Sequence, residues 1–407
     1  MAEKKYARRV SWGKSPLWPE RPPALNWLDI ELTERCNNDC VHCCINLPVD
    51  DPLARKKELS TLAIKEILRE AAALGCLTVR FTGGEPLLRE DFEELYLFSR
   101  RLGLKVVLFT NGTLITTRLA DLFTRVIPIE KIEISLYGMK KDSYEAVTRI
   151  PGSFAAAWRG VRLLMEKHVP FQVKSALLPP NEKEHDEFLA WSAKIPWMNT
   201  APQIAMLFDL RCRRDSEAKN RLIRELRLSP HDWLDFLATG TNAYIEEMQR
   251  FCSTQLAPWG EMLFLCGAGL TSAAVDAYGF LQACLLVRHP DAVYDLRRGS
   301  LAEAMKSFFP DLRQKKSEDP EYEQRCAACF LRGLCVQCPG KAWIEHGTLD
   351  TPVEYLCEVT QVQARFLELL AEGEKPWEIE DWRQRIEHFA GRDPGEWQGK
   401  RPARKKS

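Results

Sequence analysis

The stretch that decides the fold lies near the start of the chain, where residues 27–44 read WLDIELTERCNNDCVHCC. Its first seven residues are mostly apolar or β-branched, which predicts a strand over Trp27–Thr33. The strand leads directly into a loop with four cysteines, Cys36, Cys40, Cys43 and Cys44. Because closely spaced cysteine thiols bind soft metals, the stretch predicts a metal-binding loop at the carboxyl end of a strand.

Further strands and helices alternate along the next 170 residues. Strands are predicted at Leu77–Thr82, Lys105–Thr110, Lys131–Leu136, Phe171–Leu177 and Pro202–Asp209. Apolar residues spaced three or four apart predict helices at Leu62–Leu74, Asp91–Leu102, Phe154–Met165 and Asn181–Ile195. We expect Ser60 to cap the first helix and Asn181 with Glu184 to form a capping box on the last. The alternation predicts an α/β fold with a parallel sheet, either an open barrel or a doubly wound sheet.

The composition of the whole chain narrows the class of protein. Its 407 residues suggest two or three domains, and 57 basic residues balance 57 acidic ones. We therefore expect no attraction to nucleic acid or to an anionic membrane. Apolar runs are shorter than the roughly 18 residues of a membrane helix, and residues 1–26 lack a signal-peptide core. A cytoplasmic protein is expected, in which the 14 cysteines are metal ligands or catalytic thiols rather than disulfides.

A second group of cysteines occupies the last 40% of the chain. Its members are Cys252, Cys266, Cys284, Cys326, Cys329, Cys335, Cys338 and Cys357. Two thiol-rich regions separated by a cysteine-poor stretch predict two metal-binding regions, for zinc, copper(I) or iron–sulfur clusters. A structural zinc site is the alternative for each region. In the second region, however, five residues separate the two C-x2-C pairs, and a zinc ribbon has about 15–20 there.

Other unusual short motifs follow the predicted strands. Gly83-Gly84-Glu85-Pro86 follows the second strand, Asn111-Gly112 the third, and residues 135–138 (SLYG) close the fourth. In parallel α/β folds the reactive groups gather beyond the carboxyl ends of the strands. We therefore expect all these motifs and the first cysteine loop to meet on one rim of the sheet.

Together these motifs resemble those of the radical S-adenosylmethionine (SAM) superfamily. Cys36-x3-Cys40-x2-Cys43 resembles its cluster loop, FTGGEP at 81–86 its GGE motif, and ISLYG at 134–138 its strand-four motif. The resemblance covers about residues 27–210 and implies a partial (β/α)6 TIM-like barrel. It implies that the three cysteines hold a 4Fe–4S cluster whose fourth iron binds SAM. One electron then cleaves SAM to methionine and a 5′-deoxyadenosyl radical. Cys44 is interpreted as a packing residue.

The resemblance also implies several contacts to SAM. Gly83, Gly84 and Glu85 would lie at the SAM amino group, and Ser135 at its carboxylate or ribose. The other candidate contacts are His42, Asn111 and Lys174. Each has a structural alternative: an ordinary turn for the glycines, a solvent-facing imidazole for His42, and an ordinary inward-facing strand residue for Lys174. Tyr137 stands where the superfamily commonly has an acid, which weakens the case for a ribose contact there.

The C-terminal cysteines resemble the SPASM extension of the superfamily, which holds two auxiliary iron–sulfur clusters, expected here to be 4Fe–4S. The implied distal ligands are Cys326, Cys329, Cys335 and Cys357. The implied proximal ligands are Cys266, Cys284 and Cys338, with Cys252 as a candidate fourth. Two residues separate Cys335 from Cys338, where the family typically has three.

The hairpin of this extension and the domain limits follow from the same comparison. Residues 262–284 predict a hairpin that turns around Gly267–Ser272, with Gly279 closely approached by other groups. We divide the chain into an N-terminal extension (1–26), a radical SAM core (27–250), a SPASM domain (251–370), and a C-terminal helix with a basic tail (371–407).

The resemblance implies oxidoreductase chemistry on a peptide or protein, with a ferredoxin or flavodoxin as electron donor. Leu285 follows Cys284 where sulfatase maturases typically carry an aspartate, which disfavours that activity. Only 26 residues precede the first strand, so we expect no appended peptide-recognition domain. The tryptophans near the two termini are expected to pack rather than cover a substrate; they are Trp12, Trp18, Trp377, Trp382 and Trp397.

Two other functions remain open. One is modification of a small molecule, such as a tetrapyrrole in alternative haem biosynthesis. The other is a non-enzymatic iron–sulfur or zinc regulatory protein, which the intact GGEP motif disfavours.

Overall fold

The computed structural model describes residues 25–238 and 241–396. Trp12, Trp18, Trp397 and the basic tail lie outside these ranges. Within them, no helix has both the length and the apolar character that a membrane span requires.

The architecture is a nine-stranded, mostly parallel sheet with helices between the strands, and a separate two-stranded sheet formed by Arg35–Cys36 and Leu47–Pro48. The strands of the described residues are β1 Trp27–Thr33, β2 Arg35–Cys36, β3 Leu47–Pro48, β4 Thr78–Gly83, β5 Lys105–Thr110, β6 Ile129–Ser135, β7 Phe171–Ala176, β8 Gln203–Ala205, β9 Ser272–Val275, β10 Phe280–Gln282 and β11 Val293–Asp295. In space, β1, β4, β5, β6, β7 and β8 lie side by side in chain order, all parallel. Because a doubly wound sheet reverses its order at a switch point, this sequential order fits the partial barrel.

The helices cover the outside of this sheet and continue into the C-terminal region. They are α1 Pro52–Lys57, α2 Thr61–Ala73, α3 Phe92–Arg101, α4 Thr117–Arg125, α5 Lys141–Thr148, α6 Ser153–Glu166, α7 His185–Ser192, α8 Glu217–Glu225, α9 Pro230–Leu237, α10 Thr241–Gln255, α11 Leu301–Glu303, α12 Phe309–Leu312, α13 Pro339–His346, α14 Glu354–Phe366 and α15 Trp382–Ala390. Ser60 caps α2 as predicted, since its Oγ accepts the Ala63 amide at 3.2 Å.

The strands present an apolar face to the helices and a polar face to the barrel interior. On β1, Leu28, Ile30 and Leu32 are buried in the main apolar core, whereas Asp29 and Glu31 alternate with them on the other face. These inward carboxylates are paired, Asp29 with Arg80 and Glu31 with Arg288. Ion pairs within the protein, rather than solvent, therefore balance the charges of these two interior carboxylates.

The capping box predicted at Asn181 and Glu184 is wrong. Helix α7 begins at His185, after a 3₁₀ turn over Glu182–Glu184, and neither side chain caps it. The Glu184 carboxylate instead accepts the amides of Met139 at 2.7 Å and Lys140 at 3.2 Å, in the loop after β6. Asn181 donates to the Tyr137 carbonyl at 2.8 Å. Tertiary contacts with that loop have displaced the local cap.

The predicted C-terminal hairpin is present, but its turn is not where the sequence suggested. Strands β9 and β10 are antiparallel and turn over residues 276–279, where Gly279 has a φ of +92°. The segment Gly267–Ser272 forms a separate turn before β9, with the Thr271 amide donating to the Gly267 carbonyl at 3.0 Å. Strand β9 then pairs in parallel with β1, so the hairpin extends the barrel sheet.

Candidate functional site at the carboxyl ends of the strands

Three thiols of the first cysteine loop form one group. Cys40 is buried, and Cys36 and Cys43 are half-buried. Burial, with smaller contributions from Glu85 and Cys43, raises the pKa of Cys36 to about 12. The pKa of Cys40 is likewise raised by burial and then by Cys43 and Cys36. Three thiols that influence one another in this way can converge on one ligand, which must displace their protons to bind.

The Cys44 thiol has a different partner, although, in addition to burial, its charge also raises the pKa of the adjacent Cys43. The Cys44 carbonyl accepts the amide of Cys212 at 3.0 Å, and the pKa of Cys44 is raised well above the usual value by a hydrogen bond with the Cys212 thiol. Cys212 is buried in an apolar cluster against which Cys44 packs. The loop therefore presents three thiols, with the fourth directed to a different partner.

The ends of β4 and β5 are joined by the buried carboxylate of Glu85. It accepts the amide of Asn111 at 2.7 Å, the hydroxyl of Thr110 at 2.8 Å and the amide of Leu87 at 3.0 Å. The Asn111 side chain in turn lies 3.8 Å from the Cys36 sulfur. Both oxygens of Glu85 are thus used by donors of the chain itself, beside the first thiol.

The two glycines of the GGEP motif are required by the chain itself. A Cβ on Gly83 would lie 2.0 Å from the Thr33 carbonyl oxygen, and one on Gly84 would lie 2.2 Å from that of Arg35. The Gly84 amide donates to the Thr33 carbonyl at 2.7 Å. The end of β4 therefore packs directly against the backbone that leads into the cysteine loop.

Three of the predicted SAM contacts, His42, Ser135 and Lys174, line one cavity of about 580 Å³. The His42 ring packs against Tyr137 at 5.0 Å and Phe208 at 5.4 Å between ring centroids. Its Nδ1 is buried and has no hydrogen-bond partner among the residues that the structure describes. Burial lowers the pKa of His42 to about 4, so the ring is neutral and offers an unused polar atom. The His42 ring is therefore not the solvent-facing imidazole that was the structural alternative.

Lys174 reaches the same cavity from the barrel interior. Its Nζ lies 2.9 Å from the Glu133 carboxylate and 3.3 Å from the ring centroid of Phe109. Burial lowers the pKa of Lys174, and the Glu133 carboxylate opposes that change. In this structure the ammonium group is already paired, so a ligand anion would have to share it with Glu133.

The C-terminal cysteines form two further groups. Cys326, Cys329, Cys335 and Cys357 line one cavity with Arg325 and Arg332. In the other group, burial raises the pKa of Cys284 to about 12, with Cys338 and Cys266 contributing. Each group brings together cysteines that are far apart in the sequence.

Cys252 is not brought to either group. It is fully buried in helix α10, within an apolar cluster that includes Trp233, Tyr244 and Leu256. Burial alone raises the pKa of Cys252 to about 12, without a contribution from another thiol. The structure therefore surrounds this cysteine with apolar side chains.

In the described ranges, no three His, Cys, Asp or Glu side chains approach closely enough to hold a single metal ion. The thiolates of a 4Fe–4S cluster each bind a different iron, so they stand farther apart than the ligands of one ion. The fit to a cluster therefore rests on the donor set: three thiols, a buried unpaired imidazole nitrogen and an adjoining cavity.

Several residues of this site belong to no recognisable sequence motif, so the sequence alone did not predict them. Arg288 donates to Glu31 at 2.6 Å and to Glu34 at 2.7 Å, and so joins the segment after Cys284 to the segment before Cys36. The only signal in the sequence is indirect, because buried glutamates on a strand require a cation from elsewhere. Arg211 and Lys219, which bind the cysteine loop, gave no signal at all.

The buried Glu85 predicts a pH dependence of stability in the cluster-free protein. Burial raises the pKa of Glu85 from 4.5 to about 7. The stability that Glu85 contributes is therefore fully present below about pH 4.5 and is lost as the pH rises through 7. Relative to Glu85→Gln, the free energy of unfolding should fall by about 3 kcal/mol across this window. Urea titrations from pH 5 to 8 test this, and parallel profiles for the two proteins would contradict it.

Comparison with known proteins supports the resemblance to the radical SAM superfamily. The family model described as Radical SAM superfamily matches residues 30–191. The AdoMet-dependent heme synthase of Methanosarcina barkeri is 31% identical over 40% of this chain and 45% of its own length. The mycofactocin maturase MftC of Mycobacterium tuberculosis is 27% identical over 78% of this chain and 79% of its own. The chain spans less than half the length of the first curated relatives it matches.

A solved structure shows the same fold. Streptococcus suis SuiB bound to precursor peptide SuiA superposes with a TM-score of 0.58 at 14% identity, covering 82% of this chain and 76% of SuiB. Its likeness extends beyond residues 30–191 and agrees with the sequential parallel strands found here. Residues 30–191 therefore match a radical SAM domain, as the three motifs predicted.

Proposed function

We propose that this chain is an enzyme that cleaves SAM reductively and uses the resulting 5′-deoxyadenosyl radical to abstract hydrogen from a peptide or protein. The observation that carries the proposal is the group of three thiols, beside which the Cys44 thiol is hydrogen-bonded to Cys212. A 4Fe–4S cluster on three thiolates supplies an electron and an open iron for SAM. A fourth thiol in the group would remove that vacancy.

The chain's own residues have distinct roles in this proposal. Cys36, Cys40 and Cys43 bind the cluster, and Asn111 holds a polar group beside the Cys36 sulfur. His42 and Ser135 line the cavity that receives the nucleoside end of SAM. The other contacts proposed are the backbone of Gly83 and Gly84 and the ammonium group of Lys174. Glu85 contributes by fixing the strand ends, because its oxygens already have donors.

A peptide or protein substrate is favoured over a small molecule. The mycofactocin maturase matches this chain along most of its length, and the superposed SuiB structure contains its precursor peptide. A tetrapyrrole substrate is the second candidate. It is supported by the similarity to the heme synthase, which covers only 40% of this chain. We further propose a cytoplasmic location, where a ferredoxin or flavodoxin could supply the electron.

Anaerobic reconstitution tests this function directly. We expect about 12 irons per chain and formation of 5′-deoxyadenosine from SAM with dithionite. The same protein is then incubated with a precursor peptide encoded near its gene, or with a tetrapyrrole, and the products are compared by mass spectrometry. Zinc binding without any SAM cleavage would contradict the proposal, and omission of dithionite is the control.

We propose that the C-terminal region is a SPASM domain with two auxiliary 4Fe–4S clusters. The four thiols that share a cavity with Arg325 and Arg332 would hold the distal cluster. Cys266, Cys284 and Cys338 would hold the proximal one. Because Cys252 is enclosed by apolar side chains, we propose that it packs the core and that the proximal cluster keeps an iron free of cysteine.

This assignment predicts different effects for two cysteine substitutions. Cys338→Ala should lower the iron content by about four per chain, because it removes one of only three proximal thiols. Cys252→Ala should leave the iron content unchanged. Iron and sulfide analysis after reconstitution distinguishes them. Loss of iron in Cys252→Ala would make Cys252 the fourth ligand.

A further inference from the structure

A buried asparagine connects the two ends of the first cysteine loop by hydrogen bonds. Asn46, two residues after Cys44, is 7% exposed. Its side-chain nitrogen donates to the Asn38 carbonyl at 3.3 Å and to the Asp39 carboxylate at 3.2 Å. Its side-chain oxygen accepts Lys219 at 2.7 Å. One amide therefore joins the two halves of the loop that carries the thiols.

Arg211 binds the same point from a segment beyond the matched family region. Its guanidinium is 3% exposed and donates to the Asn46 side-chain oxygen at 3.1 Å and to the Asn46 carbonyl at 3.0 Å. It also donates to the Cys43 carbonyl at 3.3 Å. Asp215 holds the guanidinium in place with contacts of 2.8 and 3.0 Å. The backbone of the third thiol is thus fixed by a buried cation.

Lys219 brings a less compensated positive charge to the thiols. Its ammonium nitrogen lies 3.2 Å from the carboxylate of Asp39, the residue next to Cys40, and 2.7 Å from the side-chain oxygen of Asn46. The Lys219 side chain is 14% exposed, whereas its partner Asp39 is 49% exposed and also pairs with Arg149. Because solvent screens Asp39 more strongly, the positive charge of Lys219 dominates near the thiols.

We propose that Asn46, Arg211 and Lys219 form a latch that positions the cluster loop, and that Lys219 raises the reduction potential of the cluster bound there. The inference rests on the proposed function. A cluster gains negative charge when it is reduced, so a nearby cation favours the reduced state. Asn46 lies within residues 30–191, whereas Arg211 and Lys219 lie beyond them.

The effect on potential is tested with charge-matched variants. Lys219→Gln removes the charge, Lys219→Arg retains it, and Arg224→Gln removes an exposed cation from the same helix, α8. We expect a lower midpoint potential only in Lys219→Gln, for the EPR signal that SAM perturbs. An unchanged potential in Lys219→Gln, or an equal shift in Arg224→Gln, would overturn this part of the proposal.

The positioning role is tested in the cluster-free protein. Asn46→Ala should speed hydrogen exchange of the amides in residues 39–46 by about tenfold or more, with little change in helix α2. Arg211→Lys, which keeps the charge but loses the forked contact, should show a smaller increase in the same segment. Unchanged exchange in both variants would overturn the latch. Because this readout needs no SAM cleavage, failure of the proposed function would leave it intact.

Discussion

Replacing Cys36 by alanine is expected to abolish SAM cleavage and to lower the iron content of the reconstituted protein from about 12 to about 8 per chain. Three thiols of the first loop are the proposed ligands, so the variant keeps two. Two thiolates are too few to retain the cluster in the presence of an iron chelator. The auxiliary groups lie on other elements and should load normally. 5′-Deoxyadenosine is measured by chromatography, and iron by colorimetric assay.

Cys44→Ala is the matched control, since it removes the neighbouring thiol of the same loop. The Cys44 thiol is hydrogen-bonded to Cys212 and is not one of the proposed ligands. We therefore expect wild-type iron content and SAM cleavage, with only a small loss of stability. If Cys44→Ala lost the cluster instead, Cys44 would be a ligand, and the vacancy for SAM would not exist.

The sequence allowed the scaffold of the site to be predicted because its signals are local. Strands Trp27–Thr33 and Lys105–Thr110 are found with the predicted limits, and the other predicted strands are found with shifted ends. Pro202–Asp209 is reduced to Gln203–Ala205. The parallel alternation then places every motif at the carboxyl ends of the strands, which is a consequence of topology rather than of any one residue.

The remainder of the site depends on contacts between distant segments. Asn46 meets Arg211 across 165 residues, and Arg288 meets Glu34 across 254. Such partners have no fixed spacing, and an arginine on a loop looks the same in sequence whether it is buried or exposed. The failed capping box at Asn181 has the same cause, because a tertiary partner outcompeted the local one.

Gly83→Ala is expected to destabilise the protein by about 4 kcal/mol or more, enough to unfold much of a protein of ordinary stability. The added Cβ would lie 2.0 Å from the Thr33 carbonyl oxygen, and no rotamer change can move a backbone atom out of the way. The φ of +126° adds strain for any residue with a side chain. The measurement is urea unfolding of the cluster-free protein, followed by circular dichroism.

Gly103→Ala provides the control that separates collision from conformational strain. Gly103 also has a positive φ, +84°, but nothing lies within 4 Å of the position of its Cβ. Its substitution should cost only about 1 kcal/mol. The superfamily resemblance alone explains the glycine pair by close approach of SAM, so the two explanations differ in outcome. A Gly83→Ala protein with wild-type stability and lost SAM binding would support the ligand, whereas an unstable cluster-free protein shows that the cysteine loop itself demands glycine.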